Sequence, residues 1–303
     1  MGLLKIMARI SVIINTKCVR EKQLFACIRS IQKGTYKDYE IIVVQQGLKV
    51  LEMPKRVKTY KALRIGTGFA KNVGIKHAIG KYIVFTDDDC IVSRKWLQQI
   101  ESTFERYPKA LSVFGKVLPY QPKKNAGRYC PATVVARKDK FFDKPTYHGK
   151  IGSGNNMSYR AKVFKKLGGF KKWLGPGSVG INADDAEMVT RLLHNKLGIL
   201  YNPNVVVYHD RWLDKQSYSR QKFSYTLGEI ACYTFYAIRN NEIAQSVTKG
   251  YLYGTRDKVR VLLQKIRKGQ LKKMTTLMVF IKELLGITYA FLVGAVFSLF
   301  SRS

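Results

Sequence analysis

The chain has 303 residues, 46% hydrophobic and 12% aromatic, which is enough for a large core and excludes a disordered tail. Lys and Arg number 54 against 20 Asp and Glu, a formal charge of +34. A field of that sign attracts polyanions, whether nucleic acid, anionic lipid or phosphorylated small molecules, and composition alone does not choose among them.

Five scattered cysteines, Cys18, Cys27, Cys90, Cys130 and Cys232, contain no CxxC pair. That excludes a disulfide framework and a cysteine zinc site, and fits a reducing compartment. Met1 to Ile14 shows no signal-peptide pattern, and Ile6 breaks the N-myristoylation pattern, so the body of the chain is expected in the cytosol.

In chain order, Ile10–Ile14 reads as a strand and Glu21–Gln32 as a helix, with Leu24, Ile28 and Ile31 on one face. Tyr39–Val44 reads as a buried strand, residues 57–63 as another, Ala70–Ile79 as a helix and Tyr82–Phe85 as a strand. This β-α-β-β-α-β order predicts a mostly parallel sheet with helices on both faces. Ligands of such sheets bind beyond the carboxyl ends of the strands, which singles out the residues after Val44 and Phe85. After Phe85 stand Asp87, Asp88 and Asp89, three carboxylates that repel one another unless something cationic lies among them.

Trp96–Tyr107 is a further helix and Ala110–Leu118 a strand, while residues 119–150 predict a loop over the site. Gly152–Asn156 predicts a second loop leading into a short helix near Ala161–Leu167, and the glycine-rich stretch Gly168–Gly180 a third. Ala183–Asn195 is helical, with Glu187 and Arg191 spaced for an i,i+4 pair, and Asn204–Tyr208 is a strand ending at His209. Residues 249–273 hold nine Lys or Arg and one acid, and Leu284–Phe300 carries no charge. Seventeen such residues sit at the lower edge for a membrane-crossing helix, with a buried core helix as the other reading. The expected division is a catalytic domain over 1–212, a basic helical extension over 213–273 and an apolar membrane-associated helix over 274–303.

Several segments together resemble the family 2 glycosyltransferases: Ile10-Ser-Val-Ile-Ile-Asn-Thr16, Glu40-Ile-Ile-Val-Val-Gln-Gln-Gly47, Ala70-Lys-Asn-Val-Gly74 and Asp87-Asp-Asp89. Gly154-Asn-Asn-Met-Ser-Tyr-Arg160, Leu167-Gly-Gly-Phe170, Leu174-Gly-Pro-Gly177 and Ala183-Asp-Asp185 extend the likeness to about residue 212. The resemblance implies a GT-A nucleotide-diphospho-sugar transferase fold, an inverting reaction, and a Mn²⁺ or Mg²⁺ cofactor. It implies that Asp87 and Asp89 form a D-x-D metal motif, joined by His209. A strand-end histidine held by one hydrogen bond fits the same position. Thr16, Gln45, Gln46, Lys71, Asn72, Asp87 and Asp88 take the nucleotide-sugar positions.

By the same resemblance Asp185 is the catalytic base and Asp184 its neighbour; both also suit a helix N-terminus. Gln45 and Gln46 replace the acids that contact the nucleotide base in many relatives, so uridine is not implied. Asn15 replaces a proline, and Lys71 keeps the charge of an arginine without its fork. The implied partners are a nucleotide-diphosphate sugar, a glycan or lipid-linked acceptor and an anionic membrane surface, at the cytoplasmic face.

Two rivals are weaker. Gly66-Thr-Gly68 lacks the third glycine of a dinucleotide fingerprint and does not follow the first strand. Nucleic-acid binding has no recognition motif to support it, and a triple-Asp loop without a metal repels phosphate. An inactive transferase-like membrane module remains the alternative.

Overall fold

The computed structural model describes residues 8–268 and 274–300. Most of the N-terminal apolar stretch read from Met1, and the end of the basic block at 269–273, lie outside the described residues. Nine strands form one sheet, in the order β3 (Val57–Ala62), β2 (Tyr39–Gln46), β1 (Ile10–Thr16), β4 (Tyr82–Asp87), β8 (Asn156–Arg160), β6 (Ala110–Pro119), β9 (Gly198–His209), β5 (Cys90–Val92), with β7 (Lys140–Phe142) also on β9.

The central strands are apolar on both faces because both faces are covered. Ile10, Val12 and Ile14 of β1 pack with Leu24, Cys27 and Ile28 of α1 (Glu21–Gln32) and Ile100 and Phe104 of α3 (Trp96–Arg106). The alternate residue Ile13 joins Ala70 of α2 (Thr67–His77), Val163 of α4 (Lys162–Leu167) and Met188 and Leu192 of α5 (Asp184–His194). Strand period two therefore builds a three-layer α/β/α sandwich.

The sheet is parallel across β3, β2, β1 and β4 and mixed beyond. The change comes at β8, which the sequence leaves unassigned between a loop and a helix. β8 runs antiparallel to both β4 and β6. Its first residue, Asn156, is buried and does the joining. Asn156 Oδ1 accepts from Trp96 Nε1 at 2.9 Å, and Nδ2 donates to the carbonyls of Lys116 and Val205, each at 2.9 Å. One side chain thus ties α3, β6 and β9 to β8.

Beyond residue 212 the chain forms α6 (Lys215–Ile238), α7 (Glu242–Arg267) and α8 (Met274–Phe300). Leu227, Ile230 and Ala231 of α6 share a core with Trp173, Leu174 and Ala186 from before residue 212 and with Ile287 and Ala290 of α8. Residues on both sides of 212 therefore close one core. Leu277–Phe300 is, by length and composition, apolar enough to cross a membrane.

Replacing Asn156 with Leu strands the Trp96 N–H and two carbonyls. With ~1–3 kcal/mol for a buried group left unsatisfied, Asn156→Leu is expected to cost roughly 2–4 kcal/mol of stability. Thermal melting of the purified chain checks this; an unchanged midpoint would dismiss Asn156 as the joint.

Candidate active site

A cavity of about 930 Å³ opens at the carboxyl ends of β1, β2 and β4, where an open α/β sheet binds ligands. Asp87, Asp88 and Asp89 follow β4 into it, and His209 ends β9 beside them. The β5–β9 pairing sets Cys90 opposite His209, which brings the Asp89 and His209 side chains together.

The cation demanded by three clustered carboxylates is Arg20, from the residue just before α1. Its Nε donates to Asp88 Oδ1 at 3.0 Å, and its Nη1 lies 3.0 Å from Asp89 Oδ2. Asp88 is further bound by Thr16 Oγ1 at 2.6 Å. Asp88 is thereby saturated. Asp87 and Asp89 are not.

Burial raises the Asp87 carboxyl above its ordinary value, and the Asp89 charge adds to the rise. At Asp89 burial acts in the same direction, but His209 and Arg20 outweigh it and hold that carboxyl low. Burial opposes a charged His209, yet Asp89 and Cys130 outweigh it and lift the ring to about 10.

Asp89 Oδ1 lies 3.3 Å from His209 Nε2, an ion pair while the ring is protonated, and has no well-aligned hydrogen bond among the described residues. Two ligand atoms thus converge at the cavity, and a cation taking the place of the ring proton would sit between them. The Cys90 sulfur lies in the same group, with all three ligand atoms within 4.8 Å of one another. Burial pushes that thiol well above its ordinary range, so it stays protonated and is a poor ligand for a hard ion. Asp89 and His209, with phosphate oxygens from a substrate, are a set that fits Mn²⁺ or Mg²⁺. Asp87 lines the cavity outside that group.

Asp184 and Asp185 open α5, and their fates differ. Asp184 is buried, and its Oδ2 accepts from Lys71 Nζ at 2.6 Å. Burial opposes the Lys71 charge, but Asp184 and Asp87 outweigh it and raise the ammonium above its ordinary value. Asp185 is half-buried, lines the cavity, and accepts from the Gly154 and Ala186 N–H groups at 2.8 and 2.9 Å. A Cβ on residue 154 would come within 3.0 Å of the Asp185 carboxylate, so glycine is what lets this main chain approach.

Just before these acids, Ile181 and Ala183 have φ of 69° and 70°. A β-branched residue in the left-handed region is strained and persists only when its surroundings fix it. Here Gly180 N–H donates to the Trp173 carbonyl at 2.7 Å, and Asn182 Nδ2 donates to Ser224 Oγ of α6 at 2.6 Å.

Of the remaining nucleotide-sugar positions, Gln46 lines the cavity and its Oε1 accepts from Gly66 N–H at 2.8 Å. Gln45 instead folds back on residue 51, donating to its carbonyl at 2.8 Å and accepting from its N–H at 2.7 Å. Asn72 clamps Phe170 through a donated and an accepted bond, each 2.8 Å. Thr16 is spent on Asp88. These three side chains shape the walls; Gln46, Lys71, Asp87 and Asp88 face the cavity.

The sequence motifs miss Arg20 and the whole contribution of the C-terminal helices. Tyr218, Lys222, Tyr225 and Glu229 of α6 and Tyr251 of α7 line the far end of the cavity. There Glu229 Oε2 accepts from Tyr147 Oη at 2.7 Å and also from Tyr251 Oη. Only the tyrosine count could have hinted at this end. Asn155 Oδ1 and Ser178 Oγ, also cavity-lining, are buried and unpartnered, ready for a ligand's donors and acceptors.

The profile described as Glycosyl transferase family 2 matches residues 11–168. A glucosyl-dolichyl phosphate glucuronosyltransferase of Haloferax volcanii is 22% identical over 229 residues, covering 66% of this chain and 69% of that protein. The mannosyltransferase PcManGT of Pyrobaculum calidifontis, solved with GDP-Man and Mn²⁺, aligns with a TM-score of 0.56 at 16% identity, covering 98% of this chain and 88% of its own. TarS 1-349 of S. aureus, solved with UDP-GlcNAc, aligns with a TM-score of 0.51 at 16% identity over 67% of this chain and 58% of that one. At such identities these solved structures speak for the fold.

The buried Lys71–Asp184 pair gives a sharp test. Lys71→Met leaves a buried carboxylate unpaired, and such a loss typically costs ~3–5 kcal/mol. Lys71→Met with Asp184→Leu removes both charges and is expected to recover most of that stability. Urea unfolding of the two single variants and the double variant measures it. A double variant no more stable than Lys71→Met would refute the pairing as the reason for both residues.

Proposed function

This chain belongs to glycosyl transferase family 2 and is a glycosyltransferase of GT-A fold, and from that premise we propose how it works. It moves a sugar from a nucleotide-diphosphate donor to an acceptor hydroxyl with inversion, assisted by Mn²⁺ or Mg²⁺. The observation that carries this reading is one cavity holding an open Asp89–His209 pair and a separate carboxylate, Asp185.

Asp89 and His209, with Asp87 alongside, would hold the cation, which when bound would neutralise charge on the departing nucleoside diphosphate. His209 would hold it as a neutral ring and so give up its proton. Asp88 keeps Arg20 in place and has no direct part. Lys17, Arg211 and Lys222 around the cavity attract the diphosphate. Asn155 and Ser178 offer their free polar atoms to the donor.

Asp185 takes the acceptor proton as the new bond forms. Its two oxygens are oriented by Gly154 and Ala186 N–H groups, which fix the carboxylate without neutralising it. Asp184, committed to Lys71, is the weaker candidate. The Tyr147–Glu229–Tyr251 end of the cavity then receives the acceptor, since aromatic faces and a carboxylate suit a sugar's C–H faces and hydroxyls. One relative is named for a glucosyl-dolichyl phosphate, which supports a lipid-linked acceptor here too. The free cysteines and the apolar α8 support a place on the cytoplasmic face of a membrane.

Calorimetry of nucleoside diphosphates should show affinity rising with Mn²⁺ and falling back when Asp89→Asn is introduced. Equal affinity in excess chelator would remove the cation from the reading. For the base, Asp185→Asn keeps shape and removes basicity. Transfer is expected to fall ~10²–10⁴-fold while donor affinity stays unchanged. Near-normal turnover of Asp185→Asn would pass the role to another group.

A further inference from the structure

Ile281, Leu285, Tyr289, Leu292, Val296 and Leu299 of α8 are all exposed, from 44% at Tyr289 to 73% at Leu299. Their spacing of three and four residues puts them on one side of the helix. On the opposite side Gly286 meets Phe223, Gly294 meets Ala231 and the Ser298 carbonyl accepts from Arg239 at 2.9 Å. A Cβ on residue 294 would come 2.4 Å from the Ala231 carbonyl oxygen, so glycine sets this close approach. Higher numbers on α8 meet higher numbers on α6, so the two helices run parallel for most of their length.

That packing decides how α8 can meet a bilayer. α6 carries Lys222 and Glu229 along the same stretch, with Arg239 just beyond its end. If α8 crossed a hydrocarbon core of ~30 Å, those charges and the wall of the cavity would be drawn into lipid, which is costly. Lying flat, α8 buries its outward stripe and leaves α6 in water.

We propose that α8 lies in the plane of an anionic membrane, with this stripe at the acyl boundary, and does not cross it. Charge complementarity names the occupant. α7 is joined to α8 by Lys258 Nζ and Glu283 Oε2 at 3.6 Å, and it exposes Lys249, Arg256, Arg260 and Arg267. These recur at seven, four and seven residues, which is one flank of a helix, and such a flank suits acidic headgroups. Beside them Leu252, Leu263 and Ile266 are about half exposed.

The same two helices touch the site. Tyr289 Oη donates to the Val179 carbonyl at 3.0 Å, next to the cavity-lining Ser178, and Phe297 stacks on Trp173 at 4.5 Å. Tyr251 of α7 binds Glu229 inside the cavity, one residue before the exposed Leu252. Resting on the transferase reading above, this makes the bilayer surface the route by which a lipid-carried acceptor reaches the Glu229 end.

The test uses the full chain with one tryptophan added at a time at Ile281, Leu285, Leu292 or Leu299, the quenching of the chain's own Trp96, Trp173 and Trp212 being subtracted, bound to phosphatidylglycerol-containing vesicles with lipids brominated at different depths. A flat helix gives one shallow quenching depth at all four positions. A graded profile with its deepest point in the middle, or no quenching because the stripe is covered by a second copy, overturns the proposal. Arg256→Gln, Arg260→Gln and Arg267→Gln together are expected to weaken vesicle binding roughly 100-fold at low salt; unchanged binding would also overturn it. Nucleotide affinity of the same preparations, measured without vesicles, reports on the transferase reading separately.

Discussion

The site depends on burying several like charges at one edge of the sheet. Asp87, Asp88, Asp89 and Asp184 converge where the strands end, the last three of them buried. Two cations make this possible. Arg20 reaches Asp88 and Asp89 from just before the first helix, and Lys71 reaches Asp184 from the second. Removing Lys71 would leave Asp184 buried without its cation, and removing Arg20 would leave Asp88 with Thr16 alone, either of which is far more costly than losing an exposed pair. The arrangement also sorts the acids by role. Asp88 and Asp184 are consumed in holding the site together, and Asp89 and Asp185 keep oxygen atoms for a ligand.

The sorting shows what was legible in the sequence. The β1–α1–β2 and α2–β4 units were readable because they are regular, with apolar periods of two and 3.6 that the burial follows. The triple-Asp loop was readable as a place needing a cation. Which cation was not readable, because Arg20 is separated from it by 68 residues and the pairing exists only after β1 and β4 align. Gln45 and Asn72 sit in motif positions, but their carboxamides are turned onto nearby backbone, a choice made by loop geometry. β8 was hidden because its five residues, Asn-Met-Ser-Tyr-Arg, alternate over only two apolar positions, Met157 and Tyr159, between a glycine-rich loop and a short helix. Asn156 then fixes its place in the sheet.

The C-terminal third was read as an appendage because its composition changes there. Composition reports the surface of those helices, whereas their role lies on the inner faces. α6 holds Asn182 through Ser224 and Glu187 through Tyr236, on either side of the start of α5. The strained Ile181 and Ala183 stay left-handed because α6 closes over that turn. The position of Asp185 therefore depends on a helix that contains none of the family motifs.

That dependence gives the net charge of +34 a structural reading. Charges in excess of 30 repel one another and would weaken a compact body if they were spread evenly. Two of the basic groups in the cavity are matched: Arg20 and Lys71 are neutralised by the acids they hold. On α7, Lys249, Arg256, Arg260 and Arg267 project from an exposed helix with one acid, Asp257, close by. Their repulsion is not relieved by neighbouring acids, and it is screened within about 10 Å at 0.1 M salt. The two populations of positive charge thus act at different ranges. The paired one fixes geometry with little dependence on salt, and the exposed one responds to the surroundings, so ionic strength acts on the exposed helix before it acts on the site.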